Sequence, residues 1–329
     1  MGWLRSGGAA VWSRGRAFDR NRDYREAVAR ASTTHRRGSC AGRAWLLGLL
    51  AGLAMAPAAG RAAGRGTILH EYIGAPALHR GDQSVRVYLP PSYHQPDSAG
   101  RRYPLLILLH GWPGGDGNWL GQGHAAATLD SMIADHAIPE VIALFPNASG
   151  HGILGRSMYL DAHDGSFDIQ EFLVRDLVTW ADRTWRTHPE PAQRALIGLS
   201  EGGSAAMNLA LRNPAVFGAC ASLSGEFRLS RSFGLKGVLG PEPGATTMLT
   251  QNSPLLYIGS IVEQAKGQVL YFDCGLDEHE WLDQNREFHR RLTELGIPHT
   301  YNEFPGGHGW GYWKLHLRDA LLVVTSRMR

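Results

Sequence analysis

Cysteine is scarce, with 3 in 329 residues, at Cys40, Cys220 and Cys274. Such a chain is not a disulfide-built scaffold. Cys220 and Cys274 each fall in an apolar run and are expected to be buried free thiols. Histidine occurs 15 times, but there is no HExxH or paired-histidine spacing, and the stretch Asp277-Glu278-His279-Glu280 does not by itself make a metal site. No metal site is expected. An excess of positive charge is also missing from the body. Of 33 basic and 30 acidic residues, the first 66 positions hold 12 and 3, which leaves 21 basic and 27 acidic residues from Thr67 onward. That balance argues against a nucleic-acid partner. Beyond residue 66 there is no internal repeat, no long low-complexity tract and no apolar stretch near the roughly 20 residues a spanning helix needs.

What is present is apolar bulk. With 43% hydrophobic residues, the chain can bury one large α/β domain over residues 67–329. Residues 1–66 read separately, as a leader. A basic region is followed by the apolar run from Ala44 to Ala56 and an Ala-rich stretch to Ala63, the layout of an export signal. The expectation is a secreted or periplasmic protein with the leader removed and no stable membrane span after processing. An uncleaved anchor is the alternative.

From residue 84 onward strands and helices alternate. Arg86-Val87-Tyr88-Leu89 and Pro104-Leu105-Leu106-Ile107-Leu108-Leu109 read as strands, expected to pair antiparallel, and the second is apolar throughout, as for a strand covered on both faces. Helices are expected over 124–135, 168–183 and 281–295 and from Tyr312. Further strands are expected at Val141 to Phe145, Ala195 to Ile197, Ala219 to Leu223, Val269 to Phe272 and Thr300 to Phe304. This rhythm implies a mostly parallel sheet with helices on both faces. It is interrupted at 226–266 by a Gly-, Pro- and Ser-rich insertion, expected over the carboxyl edge of the sheet as a lid or substrate wall.

The chemistry centres on Gly198-Leu199-Ser200-Glu201-Gly202-Gly203, where a short buried strand turns into a helix with Ser200 at the bend. A serine hydroxyl needs a base to take its proton and a third group to orient that base. His308, in Pro305-Gly306-Gly307-His308-Gly309 after the last strand, is the expected base. The acid lies in Asp273-Cys274-Gly275-Leu276-Asp277-Glu278. Asp277 is favoured, Glu278 is the alternative, and Asp273 reads as an ordinary polar residue near the sheet edge. Backbone N–H groups of Trp112 and Glu201 are the expected oxyanion donors, since Pro113 has none. The Glu201 side chain would bring negative charge to that site, so it is expected to point away or be paired. His110 reads as structural within its loop. Trp112, Trp119, Tyr159, Trp310 and Trp313 are candidates for an aromatic substrate wall.

His110-Gly111, the segment FLVRDLVTWADRTWRT from Phe172 to Thr187, GLSEGG, NPAVFGACASLSG from Asn213 to Gly225, and Phe304-Pro305-Gly306-Gly307-His308 together resemble the putative-esterase family of α/β-hydrolases. That family holds feruloyl esterases, S-formylglutathione hydrolases, enterochelin esterases and mycolyltransferases. The resemblance implies an α/β-hydrolase fold and a cofactor-free Ser-His-acid triad, carried onto Ser200 and His308. The family's Gly-x-Asp-Asp or Gly-x-x-Asp pattern is replaced here by Gly275-Leu276-Asp277-Glu278. The expected activity is that of a serine carboxylic-ester hydrolase on small-molecule or polysaccharide-linked extracellular esters of feruloyl or acetyl type. The alternative is an acyltransferase of the mycolyltransferase type, which would pass the same acyl-enzyme to an alcohol or sugar.

Overall fold

A computed structural model describes residues 64–150 and 155–329. The basic leader and its apolar segment, with Cys40, lie outside the described residues. Eight strands make one sheet: β1 (Thr67–Ile73), β2 (Gln83–Leu89), β3 (Leu105–Leu109), β4 (Ile142–Pro146), β5 (Arg194–Leu199), β6 (Ala219–Leu223), β7 (Val269–Gly275) and β8 (Thr300–Phe304). Their order is β1-β2-β4-β3-β5-β6-β7-β8. The six strands from β4 to β8 run parallel. β1 and β2 are antiparallel at one edge.

Two features differ from the sequence expectation. β2 is antiparallel to the strand beside it, but that strand is β4, with Val85 to Tyr88 opposite Pro146 to Ala143. β3 takes the centre because every one of its side chains is buried, and a strand so apolar needs neighbours on both sides. β1 was not evident as a strand, because its sequence TILHEYI places only Ile73 in the core and leaves the rest wholly or partly exposed.

The strands alternate their side chains between two cores, with the period of 2 that a sheet dictates. Leu105, Ile107 and Leu109 face one core while Leu106 and Leu108 face the other. The first core is closed by a helix over 169–184 (α2), by α3 (Glu201–Arg212) and by α4 (His279–Glu294). The second is closed by α1 (Ala125–Ala134) and α5 (Trp310–Val324). The middle of α2, Phe172–Asp176, is wound as a π-helix. All of α3 from Glu201 to Leu211 is buried, which its small residues Gly202, Gly203, Ser204, Ala205 and Ala206 permit. Cys220 and Cys274 are buried free thiols. Among the described residues, no helix is long and apolar enough to cross a membrane.

The insertion is a string of short helices, Lys236–Leu239, Gly244–Gln251, Pro254–Tyr257 and Val262–Lys266. Its first half builds a small separate core with Met158 and Leu160, using Leu229, Leu235, Val238, Leu239, Ala245 and Leu249. Its second half joins the main core through Leu255, Ile258 and Ala265. A polar knot fastens it there, where Asn252 Oδ1 accepts hydrogen bonds from Gln170, Asn208 and Arg212 at 2.9, 2.9 and 2.7 Å.

Asp273 is no sheet-edge residue. It lies in β7 between Leu223 and Asn302 and is fully buried. Tyr271 Oη donates to its Oδ2 at 2.7 Å and Tyr312 Oη to its Oδ1 at 2.9 Å, which pins α5 to the sheet. Burial pushes its carboxyl up to about 7, against the opposing hydrogen bonds from the two tyrosines. A group raised on folding contributes stability that is fully present below its unfolded value and is lost as pH rises through its folded value. Urea unfolding at pH 5, 6 and 7 should therefore show the parent losing about 1 kcal/mol per pH unit relative to Asp273→Asn. Parallel curves for the two proteins would contradict a raised Asp273.

Candidate active site

β5 ends at Leu199, and Ser200 reverses the chain into α3 with φ 53° and ψ −126°. This left-handed geometry is costly for a residue with a side chain. Backbone packing holds it. Ser200 N–H donates to Leu223 O of β6 at 2.9 Å, and Ser204 N–H returns to Ser200 O at 3.0 Å. A side chain at Gly198 would strike the Gly202 carbonyl, and one at Gly202 would strike the carbonyls of Leu109 and His110 in and just after β3. The glycines thus let β3, β5 and α3 come close enough to fix the bend.

The position follows from topology. After β3 the chain moves out to β4 and then returns to the other side of β3 for β5, so β3 and β5 meet where the strand order reverses, and α/β sheets place their sites at the carboxyl ends there. The loops after β7 and β8 reach the same edge.

His308 lies in the loop after β8. Its Nε2 is 2.8 Å from Ser200 Oγ and its Nδ1 is 2.6 Å from Glu278 Oε2. With Nδ1–H donating to the carboxylate, Nε2 is left to accept the serine O–H. The imidazole is held on two sides. Trp281 stacks on it at 4.4 Å with planes 17° apart, and Trp313 meets it edge to face at 4.9 Å and 85°.

The carboxylate against His308 is Glu278, not Asp277. In the turn that ends β7, Glu278 N–H donates to Gly275 O at 3.1 Å, so Leu276 and Asp277 form the exposed tip while Glu278 is turned inward and buried. Its Oε1 accepts from Gly275 N–H at 3.0 Å and from Ser224 Oγ at 2.7 Å, and Ser224 Oγ in turn accepts from Trp313 Nε1 at 3.0 Å. A side chain at Gly275 would meet Gly306 O and Glu278 Oε1. Asp277 joins this arrangement through its backbone, donating to Gly306 O at 3.0 Å.

Trp112 and Glu201 both border the cavity of about 260 Å³ that opens beside Ser200. Glu201 is the first residue of α3, where helix N–H groups have no intrahelical acceptor. Its side chain is paired with Arg156, whose Nε donates to Oε1 at 2.5 Å. Burial raises the Glu201 carboxyl and Arg156 opposes the rise. The cavity has apolar walls from Trp112, Met158 and Trp281 and a polar side from Arg156, Glu201, Ser204 and Glu226. Burial, with Glu280 and Glu201 nearby, pushes the Glu226 carboxyl up to about 7. A larger cleft of about 810 Å³ runs along Ile133 to Glu140 and the end of the chain, but it borders none of Ser200, His308 and Glu278.

His110 holds its own loop together. Its Nδ1–H donates to Gly111 O at 2.7 Å, and its Nε2 accepts from Ala148 N–H at 3.1 Å. Burial lowers its pKa, which keeps Nε2 unprotonated for that role.

Of the aromatic candidates Trp112 borders the cavity, while the other four sit elsewhere than expected. Trp119 is buried with Nε1 donating to Leu109 O at 3.0 Å. Tyr159 is buried with its hydroxyl donating to His110 O at 2.6 Å. Trp310 is wedged edge-on between Trp119 and Trp313, and Trp313 lies behind His308. Each has a packing or hydrogen-bonding task that draws it away from the cavity. The wall residues Trp281, Met158 and Arg156 went unremarked in the sequence. Trp281 had a usable signal, three positions after Glu278 at the start of a helix, whereas Arg156 and Met158 lie in an aperiodic loop. Among the described residues, no three His, Cys, Asp or Glu side chains are arranged to hold a metal ion.

Comparison with known proteins adds the family. A family model described as Putative esterase matches residues 77–324. Esterase Rv1288 of Mycobacterium tuberculosis (strain ATCC 25618 / H37Rv) is 28% identical over 250 residues, covering 68% of this chain and 52% of that protein. The chain thus spans about half the length of that relative. An endo-1,4-beta-xylanase/feruloyl esterase of Xylanibacter ruminicola is 33% identical over 147 residues, 44% of this chain and 19% of that protein. The solved structure of a ferulic acid esterase has the same fold, with a TM-score of 0.72 at 24% identity over 80% of this chain and 100% of that one.

The two neighbouring carboxylates make separable predictions. Glu278→Gln should slow the labelling of Ser200 by a fluorophosphonate about a hundredfold or more, because the amide no longer favours the imidazole tautomer that accepts the serine proton. Asp277→Asn should label within about threefold of the parent. The reverse pattern, read by intact-protein mass spectrometry over time, would return the role to Asp277.

Proposed function

The chain belongs to the Putative esterase family, and from that premise we propose that it is a serine carboxylic-ester hydrolase working through Ser200, His308 and Glu278. The observation that carries this reading is the unbroken relay from Ser200 Oγ to His308 Nε2 and from His308 Nδ1 to Glu278 Oε2, at 2.8 and 2.6 Å.

Each step follows from those contacts. His308 Nε2 takes the Ser200 proton as Oγ attacks the ester carbonyl carbon, and Glu278 stabilises the imidazolium that forms. The carbonyl oxygen becomes an oxyanion, held by the N–H groups of Trp112 and Glu201. Collapse of the tetrahedral intermediate breaks the bond to the alkoxide. His308 returns the proton to it, so the alcohol leaves and the acyl group stays on Ser200. Water then attacks the acyl carbon with His308 again as base, the acyl–Oγ bond breaks, His308 returns the proton to Ser200 Oγ, and the carboxylic acid departs.

For the acyl group we propose a feruloyl or acetyl type. A cavity of about 260 Å³ is large enough for either. Its Trp112, Met158 and Trp281 walls suit an aromatic ring, and its polar side suits a ring that carries a hydroxyl. The feruloyl esterase named among the relatives supports this choice. The signal-like segment before residue 64 supports a small-molecule or polysaccharide-linked ester outside the cytoplasm.

Residues 64–329 should hydrolyse p-nitrophenyl acetate and methyl ferulate, and Ser200→Ala should lower kcat by about 10⁴-fold or more. A folded parent inert to both esters, or a Ser200→Ala variant that keeps its turnover, would overturn this reading.

A further inference from the structure

The residue after the nucleophile is a glutamate, an awkward choice for a site that builds negative charge. The Glu201 N–H is a proposed oxyanion donor, yet its own side chain is buried beside the same cavity. Glu226 stands on that cavity too, and Glu278 is buried behind His308. A carboxylate this close, in a partly dehydrated pocket, repels the oxyanion of the transition state far more than it would in water.

Among the described residues, Arg156 is the only Lys or Arg bordering the cavity, and it is committed. Its Nε donates to Glu201 Oε1 at 2.5 Å. Its Nη1 donates to the Phe233 carbonyl of the insertion at 2.6 Å. Its guanidinium lies 4.8 Å over the Trp112 ring. The pair is well sheltered, with side chains 15% and 9% exposed. One side chain therefore touches the elbow, the oxyanion loop and the insertion. Nothing in the triad chemistry requires it.

We propose that Arg156 is a positioning residue for the reaction, which cancels the charge of Glu201 beside the oxyanion site so that the N–H groups of Glu201 and Trp112 act on the transition state unopposed. The inference rests on the ester-hydrolase reading of Ser200. It makes Arg156 a determinant of kcat more than of substrate affinity, because the charge it offsets is felt most when the oxyanion forms.

The test is a rescue. Arg156→Met should lower kcat on p-nitrophenyl acetate about tenfold or more while KM moves less than about threefold. Adding Glu201→Gln to that variant should restore about tenfold, since the backbone donor remains and the unpaired charge is gone. A double variant no faster than Arg156→Met would overturn the inference, as would an Arg156→Met enzyme with the parent's kcat. Arg156→Lys covers the case in which Arg156→Met does not fold. It keeps the charge and should stay within about threefold of the parent, and a larger loss of kcat would overturn the charge-cancelling role. A parent without turnover would overturn the ester-hydrolase reading itself, which separates the two failures.

Discussion

A serine side chain held at positive φ is the constraint on which this molecule depends. Ser200 at φ 53° is unfavourable for the isolated chain, and it persists because β3, β5, β6 and the start of α3 leave the backbone no other course. The hydrogen bond from Ser200 N–H to Leu223 O and the contact of Gly202 with the β3 carbonyls are parts of the same packing. The strain is held by burial of α3 from Glu201 to Leu211, whose small residues allow it to lie against the sheet. The same geometry projects Oγ outward and leaves the first N–H of α3 beside it.

The other two members of the relay are brought in by loops at the same edge, and their precision comes from behind. Glu278 is fixed by Gly275 N–H and Ser224 Oγ, Ser224 by Trp313, and His308 by the planes of Trp281 and Trp313. Trp313 belongs to α5, and α5 is tied to β7 through Tyr312 and the buried Asp273. Packing of the last helix on the sheet is thus connected to the orientation of the imidazole. A side chain that strengthens the fold here also narrows the positions the base can take.

Much of this was legible in the chain. Gly198-Leu199-Ser200-Glu201-Gly202 names its own turn, because only glycine fits where backbones touch, and continuous apolar runs such as Leu105 to Leu109 can only be interior strands. His308 was legible from its place after the final strand. What escaped was decided by turn phase and by burial partners. Asp277 and Glu278 are adjacent carboxylates, and which one turns inward depends on the bond from Glu278 N–H to Gly275 O, which no periodicity reveals. Trp119 and Tyr159 read equally well as wall or core until Leu109 O and His110 O claim their polar atoms. Arg156 lay in a loop without a pattern, and only the structure pairs it with Glu201.

A covalent bond between Ser200 and the acyl group is what the ester-hydrolase reading requires, and it can be read directly. Residues 64–329 would be mixed with a slowly deacylating p-nitrophenyl ester, quenched in acid within milliseconds, digested and mapped by mass spectrometry. One acyl adduct is expected, on the peptide carrying Ser200, appearing in a burst with the first equivalent of p-nitrophenol and absent from Ser200→Ala. Steady release of p-nitrophenol with no adduct at any time, or an adduct on another side chain that survives in Ser200→Ala, would contradict it.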